Sequence, residues 1–273
     1  MDVIFVKKRE KSVSEVLQKA GFCDMIYNEY SHAFPPPHTL WKETPMPYRI
    51  ALFDADNTLL DFTRAERNAL CACLISRGLP HGEDTVAVYS AINDSHWKRL
   101  ELGLTTRDRL KIERFGDFFA SIGYSGDPVR MARDYESALG QQTCLLEGAL
   151  ELIQALHGKC ELYIVTNGIT AVQKSRFGRC ALAPYFDRSF ISEEMGCAKP
   201  EKRFFDLVAA AIPGFDPKEA LVIGDSLSSD IRGGINAGLD TCWFNPKGKP
   251  APADMEITHI VSRLADIEAI LLG

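Results

Sequence analysis

The chain lacks any apolar run near the ~20 residues that a bilayer-spanning helix requires, so none of its 273 residues is expected to cross a membrane as a helix. It also lacks an excess of positive charge. A formal net charge of −6 excludes the general phosphate-backbone affinity by which nucleic-acid polymers are held. A local basic pocket for an anionic small molecule stays compatible with that balance. Metal-type cysteine spacing is missing as well. The chain has eight cysteines, but its closest pair, the CAC at 71–73, is too tight for a zinc site and no histidine follows in register. They are expected as reduced, mostly buried thiols. The opening MDVIFVKKREKS places its apolar piece before its charges, the reverse of a secretory signal, and the cytoplasm is the expected compartment. No tandem repeat is present. With 46% hydrophobic and 25% charged residues, the chain has the composition of an ordinary globular protein.

Residues 1–48 differ from the rest and are expected to form an N-terminal extension. SVSEVLQKAGFCDMIYNEY (12–30) has the pattern of one amphipathic helix. HAFPPPHTLWKETPMP (32–47) is expected as an extended linker, because Pro35–Pro37 fix φ and lack donors. Met46 is either the initiator, with 1–45 an upstream addition, or an internal residue behind a genuine appendage.

From residue 49 a rhythm sets in. Buried-type strands are predicted at 49–54, 161–167, 188–192, 219–225 and 240–245, with another at 257–262. Helical patterns at 146–158, 170–182, 201–211, 229–238 and 263–272 separate or follow them. Strand and helix alternating at this spacing predict an α/β fold: a Rossmann-like, three-layer core with a parallel sheet. The interval after the first strand breaks the rhythm. It holds four helical patterns, at 62–78, 84–103, 106–123 and 127–140, and no strand. That is too much for a crossover loop, so 62–143 is expected as an inserted helical cap, with 49–61 and 144–273 as the core. In open α/β sheets the site lies at the carboxyl ends of the strands.

Those ends carry the chemistry. ALFDADNTLLDF (51–62) closes an apolar strand with Asp54 and Asp56, like charges that need protons or a cation to coexist. The second strand ends at Thr166 and Asn167, the fourth at Asp225 and Ser226, with Asp230 beyond, and Lys199 follows the third. Carboxylates, one lysine, a hydroxyl and an amide on one sheet edge form an inventory for Mg²⁺ and a phosphoryl group. In this reading Asp54 is the nucleophile and a metal ligand, and Asp56 is the general acid and base whose backbone carbonyl also ligates the metal. Asp225 is a further ligand, and Thr166 and Asn167 hold phosphoryl oxygens. Lys199 neutralises charge on the phosphate and on Asp54. Asp230 binds a metal water, orients Lys199, or only caps the helix behind it. Thr58 and Ser226 brace the loops. Each motif taken singly also reads as a common turn; the ordered set does not.

DADNT (54–58), TNG (166–168), AKP (198–200) and GDSLSSD (224–230) resemble, in order, the four motifs of the haloacid-dehalogenase-like hydrolases. The resemblance implies a Rossmann-like core, an aspartyl-phosphate intermediate and Mg²⁺. The second aspartate, which the dehalogenase branch lacks, speaks against a carbon–halogen hydrolase. TNGITAVQKSRF (166–177), GCAKPEKRFFD (196–206), the run 224–245 and the cap segment 92–115 are similar to the YjjG-like pyrimidine nucleotidases. That similarity implies a 5′-nucleotidase for UMP, dUMP or dTMP; the sequence leaves open whether the chain is a monomer or homodimer. A phosphatase for a sugar phosphate or a phosphoglycolate-like metabolite shares the same core motifs and is the alternative. A phosphate-retaining mutase shares them too. In the cap, Asn93, Trp97 and Arg114 are candidates to read the substrate, with His96, Arg99 and Arg107 beside them. Trp97 either stacks on a base or fills the cap core. His96 is expected at the surface or behind the site, and the arginines mostly on a solvated helix face.

Overall fold

The computed structural model describes residues 46–273. The helix expected over 12–30, and the linker up to residue 45, lie outside the described residues. Six strands form one all-parallel sheet, β1 (Ile50–Phe53), β2 (Glu161–Thr166), β3 (Arg188–Ile191), β4 (Ala220–Gly224), β5 (Asp240–Phe244) and β6 (His259–Val261). Their spatial order is β3-β2-β1-β4-β5-β6. The order reverses between β1 and β4, which pair in register from Ile50↔Ala220 to Phe53↔Ile223. A crevice therefore opens outside the ends of these two strands.

Beta1 lies between β2 and β4, and all four of its residues are fully buried. Its side chains alternate between two cores, as the period of two requires. Ala51 and Phe53 enter one core with α5 (Ala149–Leu156) and α9 (Ala265–Leu272). Ile50 and Leu52 enter the other with Phe204, Phe205 and Val208 of α7 (Lys202–Ala211). The sheet is thus sandwiched between helical layers. Four further helices, α1 (Phe62–Ile75), α2 (Glu83–Glu101), α3 (Arg107–Ser121) and α4 (Pro128–Gly140), pack around a third core. Ile169 and Val172, at the start of α6 (Thr170–Phe177), complete it. Local signals set their starts: Asp61, Thr106 and Asp127 each accept a hydrogen bond from the first turn of the helix they precede.

The chain leaves and re-enters the sheet layer through a short stem. Asp61 N donates to Cys144 O at 2.9 Å and Leu146 N to Leu59 O at 2.9 Å. The turn before it holds Asn57 at φ 61°, a left-handed conformation that asparagine tolerates better than most residues.

Several boundaries differ from the sequence expectation. Alpha6 stops at Phe177 instead of running to 182, and a short 3₁₀ turn at Ala183–Tyr185 follows. The helix expected from 229 is a wide π-type turn over Leu227–Ile231 leading into α8 (Arg232–Ala237). Its glycines let α8 lie directly on the sheet. A Cβ on Gly234 would stand 2.5 Å from Thr241 Cγ2 and 3.3 Å from Val222 Cβ. The seven described cysteines are all free. No helix among the described residues is long and apolar enough to cross a membrane.

Gly234→Ala is expected to overpack this contact and lower stability by about 1–3 kcal/mol. Urea unfolding checks it: the midpoint should fall with the slope unchanged, and an unaltered midpoint would reject the close-packing account.

Candidate active site

At the carboxyl edge of the sheet the Lys199 ammonium is buried at 2% exposure. Its Nζ donates to Asp54 Oδ1 at 2.7 Å, to Asp230 Oδ1 at 2.6 Å and to the carbonyl of Val165 at 2.7 Å. An ammonium has three protons, and here each has an acceptor. Lys199 therefore acts as a fixed charge behind Asp54 and keeps no proton for direct donation to a phosphoryl oxygen. Thr58 Oγ donates to Asp54 Oδ2 at 3.2 Å and accepts from Asp225 N at 3.1 Å, so it ties the first motif to the fourth.

Asp230 is almost wholly buried, and its other oxygen accepts from Ser226 N at 3.0 Å. Of the roles open to it, the geometry supports orienting Lys199. The capping bond belongs to Ser226, whose Oγ accepts from Ser229 N. Gly224 makes this arrangement possible, since a Cβ there would meet Asp230 Oδ2 at 2.2 Å.

Two further expected residues line the cavity and have partners within the protein. Asn167 lines the crevice, and its side chain is held by the lysine segment. Its Nδ2 donates to Lys199 O at 2.8 Å, and its Oδ1 accepts from Lys199 N at 3.0 Å. This two-point clamp holds the lysine segment and uses one of the two Nδ2 protons. Asp56 lines the same cavity, with its carboxylate held by two side chains of α6. Gln173 Nε2 donates to its Oδ2 at 2.8 Å, and Arg176 Nη1 binds its Oδ1. The same Gln173 nitrogen donates to Thr166 Oγ at 2.9 Å, and Gly168 N donates there at 3.1 Å. Thr166 accepts both bonds, so its own hydroxyl proton is free to donate into the cavity it lines. Gln173 and Arg176 were not singled out from sequence. Their spacing of three on α6, one face of a helix, was the available signal.

Asp54, Asp225 and Asp230 offer carboxylate oxygens within 4.8 Å of one another. Burial pushes the Asp54 carboxyl well up; Lys199 opposes the shift, while Asp230, Asp225 and Asp56 add to it. Asp225 is pushed up to about 7, by burial first and then by Asp230. One lysine does not balance these carboxylates. A hard divalent cation with oxygen preference fits both the donor set and the charge deficit.

The edge opens into a cavity of about 250 Å³. Phe62, Trp97, Glu101 and Arg114 of the inserted helices line it opposite the catalytic edge. Trp97 is half-buried; it lines the cavity and packs against the helical core. The solvated-face expectation holds for Arg99, which is exposed, and fails elsewhere. Arg114 is 2% exposed, and Arg107 is half-buried with Nη2 donating to Ser192 Oγ at 2.8 Å and Asn167 O at 3.2 Å. Asn93 is buried and bonded to Glu66 and Arg114, and it does not line the cavity. His96 is buried rather than superficial, with Nε2 at 2.8 Å from Asp117 Oδ2.

A family model for haloacid dehalogenase-like hydrolases matches residues 48–238. The HAD-hydrolase YfnB of Bacillus subtilis is 39% identical over 224 residues, which cover 82% of this chain and 95% of YfnB. The structure of YfnB bound to magnesium gives a TM-score of 0.78 and covers 82% of this chain and 98% of that one. The pyrimidine 5′-nucleotidase PynA of Streptococcus pneumoniae is 41% identical over 200 residues, 73% of this chain and 84% of PynA. The pyrimidine 5′-nucleotidase YjjG of Escherichia coli is 34% identical over 219 residues, 80% of this chain and 96% of YjjG. The acidic cluster, together with the magnesium-bound relative, identifies Mg²⁺ as the cofactor.

Without the ion, Asp54 and Asp225 hold protons more tightly in the folded than in the unfolded chain. The stability they contribute is complete below the unfolded carboxyl value of about 4 and is lost, for Asp225, as pH rises through about 7. Mg²⁺ replaces those protons. Saturating Mg²⁺ is therefore expected to raise Tm more at about pH 8 than at about pH 6. Calorimetry checks it, and equal increments at both values would reject the carboxylate cluster as the ion's site.

Proposed function

We propose, from the premise that this chain belongs to the haloacid dehalogenase-like hydrolases, that it is a 5′-nucleotidase acting on pyrimidine nucleoside monophosphates. The observation that carries the hydrolytic part is the Asp54–Lys199–Asp230 knot beside Asp225 and Thr166 at one sheet edge. The pyrimidine part is supported by PynA and YjjG.

In this reading Asp54 attacks phosphorus and forms an aspartyl phosphate. The phosphorus–oxygen bond to the nucleoside breaks as Asp56 gives that oxygen a proton. Asp56 then takes a proton from water, which attacks the same phosphorus and frees Asp54 and inorganic phosphate. Gln173 and Arg176 position Asp56 for both transfers. The Thr166 hydroxyl donates to a phosphoryl oxygen, and Lys199 offsets charge on Asp54. Asp54 and Asp225, with the backbone carbonyl of Asp56, would hold Mg²⁺, which would supply electrostatic stabilisation of the phosphoryl group. Asn167 acts by fixing Lys199.

Helices α1–α4, residues 62–143, serve as the cap that closes this chemistry off from bulk water. Bonds that hold it against the edge include Lys111 Nζ to Glu193 Oε1 at 2.7 Å, Arg107 Nη2 to Ser192 Oγ at 2.8 Å and to Asn167 O at 3.2 Å, and Ser228 Oγ to Glu101 Oε2 at 3.0 Å. The phosphate end of any substrate meets the sheet, and the cap meets the rest.

A panel of phosphomonoesters tests the assignment. UMP, dUMP and dTMP are expected to exceed purine monophosphates in kcat/KM by about tenfold or more. Higher kcat/KM for hexose phosphates or phosphoglycolate would overturn the nucleotide reading and favour a small-metabolite phosphatase. Asp54→Asn is expected to lower kcat by at least about a thousandfold on every member of the panel; retained turnover would remove Asp54 as the nucleophile. Asn167→Ala is expected to cost about tenfold, the loss of two neutral hydrogen bonds that hold Lys199, and unchanged kinetics would reject the clamp.

A further inference from the structure

We propose that Arg114 reads the substrate base, its free guanidinium donors taking the C2 carbonyl oxygen that uracil, thymine and cytosine share. This rests on the nucleotidase reading and assigns its specificity to one residue. Arg114 is 2% exposed yet lines the cavity that holds Asp54 and Thr166. Nη1 donates to Asn93 Oδ1 at 2.8 Å. Nε and Nη2 are buried and have no partner among the described residues. Buried donors of a cation are rarely left unpaired, because the desolvation is not recovered. Here the missing partner belongs to whatever fills the cavity.

The surroundings keep that fork open. Glu66 is the neighbouring carboxylate, but it does not touch Arg114 directly. Its Oε1 accepts from Asn93 Nδ2 at 2.8 Å and its Oε2 from Ser90 Oγ at 2.6 Å. Asn93 stands between the two charges, accepting from one and donating to the other. A direct Arg–Glu pair would occupy the guanidinium with a bidentate contact; the asparagine spacer balances charge at one remove and leaves two donors unoccupied. The rings of Phe115 and Tyr135 lie 4.9 Å and 5.0 Å from the guanidinium carbon and restrict its swing. Asn93 and Glu66 are therefore positioning residues, and Arg114 is the group that touches substrate.

The placement suits a nucleotide. Asn93, Trp97 and Glu101 recur every four residues, so they share one face of α2, and Asn93 to Glu101 spans about 12 Å. Glu101, exposed, bonds Ser228 in the loop after β4, next to the catalytic edge. Trp97 stands midway, and Arg114 is joined to the Asn93 end. With phosphate at Asp54, the sugar passes Glu101, the ring lies by Trp97 and its carbonyl reaches Arg114. Adenine has no ring carbonyl and leaves the donors unpaired, which is the strongest form of rejection available to a site.

The test is a two-by-two comparison on the full chain with Mg²⁺. The substrates are dUMP and the dUMP analogue carrying hydrogen in place of the C2 oxygen; the proteins are wild type and Arg114→Met. Wild type is expected to favour dUMP by about 10–100-fold in kcat/KM, the range for a hydrogen bond from a charged donor, chiefly through KM. In Arg114→Met the ratio should shrink to within about threefold. A merely structural arginine would lower both substrates together and leave the ratio intact, and that result would overturn the proposal. If Arg114→Met does not fold, a wild-type ratio near one overturns it equally, and a ratio above ten sustains it. dAMP, run alongside, separates the premises: no preference for dUMP over dAMP in wild type defeats the nucleotidase reading itself, whereas that preference with no C2-oxygen effect defeats only the role of Arg114.

Discussion

One buried ammonium organises the catalytic edge. Lys199 joins Asp54 after β1, Asp230 after β4 and the Val165 carbonyl within β2, three segments far apart in the chain. Burying these charges is favourable only because they are paired and fully hydrogen-bonded. The pairing is incomplete by design of the donor set: Asp225 and Asp54 remain raised, so the folded protein carries an electrostatic deficit that a divalent cation corrects. The rest of the site is arranged around that deficit. Asn167 clamps the backbone of Lys199, Thr58 bridges the first and fourth motifs, and Gly224 leaves room for Asp230.

The topology explains why such distant residues meet. In a parallel sheet every carboxyl end opens on one edge, and the reversal of strand order between β1 and β4 leaves a crevice there. The helices inserted through the stem at Leu59–Asp61 and Cys144–Leu146 stand over this crevice. Labour is divided between the two parts. The sheet edge presents charge and hydroxyl groups that any phosphomonoester engages. The inserted helices present Phe62, Trp97, Glu101 and Arg114, an aromatic and charged lining unlike that of the sheet edge.

Asp56 links the two parts. Its carboxylate is held by Gln173 and Arg176, and Arg176 Nε also donates to the carbonyl of Gln142, just before the chain returns through the stem. Arg176 further lies over the Phe62 ring at 5.9 Å, at the start of α1. The group assigned to proton transfer is thus tied to both chain segments that connect the helices to the sheet.

Much of this was legible in the linear chain. Period-two and 3.6-residue patterns placed all six strands within a few residues, because a strand buried on both faces must be apolar throughout. The identity and order of Asp54, Thr166, Lys199 and Asp225 were legible because each sits next to a strand end, where local pattern and chemistry coincide. The direction of side chains was not. Asn167 and Asp56 were assigned to the right edge, but their partners lie 32 and 117 to 120 residues away, and those partners decide which way each points. Asn93 and Arg114 showed as polar positions in helices and candidates to read the substrate, with the arginine expected mostly on a solvated face; the buried chain from Arg114 through Asn93 to Glu66 forms only when α1, α2 and α3 pack together.

The sequence by itself determined the class of fold, the inserted helical segment and the inventory of polar groups at the strand ends, since these follow from composition and spacing along a single strand, turn or helix. Only the tertiary structure decided that Lys199 has no proton to spare, that Asp230 stands behind it, and that Arg114 carries unpaired donors into a cavity. Each is a matter of how many hydrogen-bond partners a buried group finds, and those partners arrive from elements that meet only when the chain has folded.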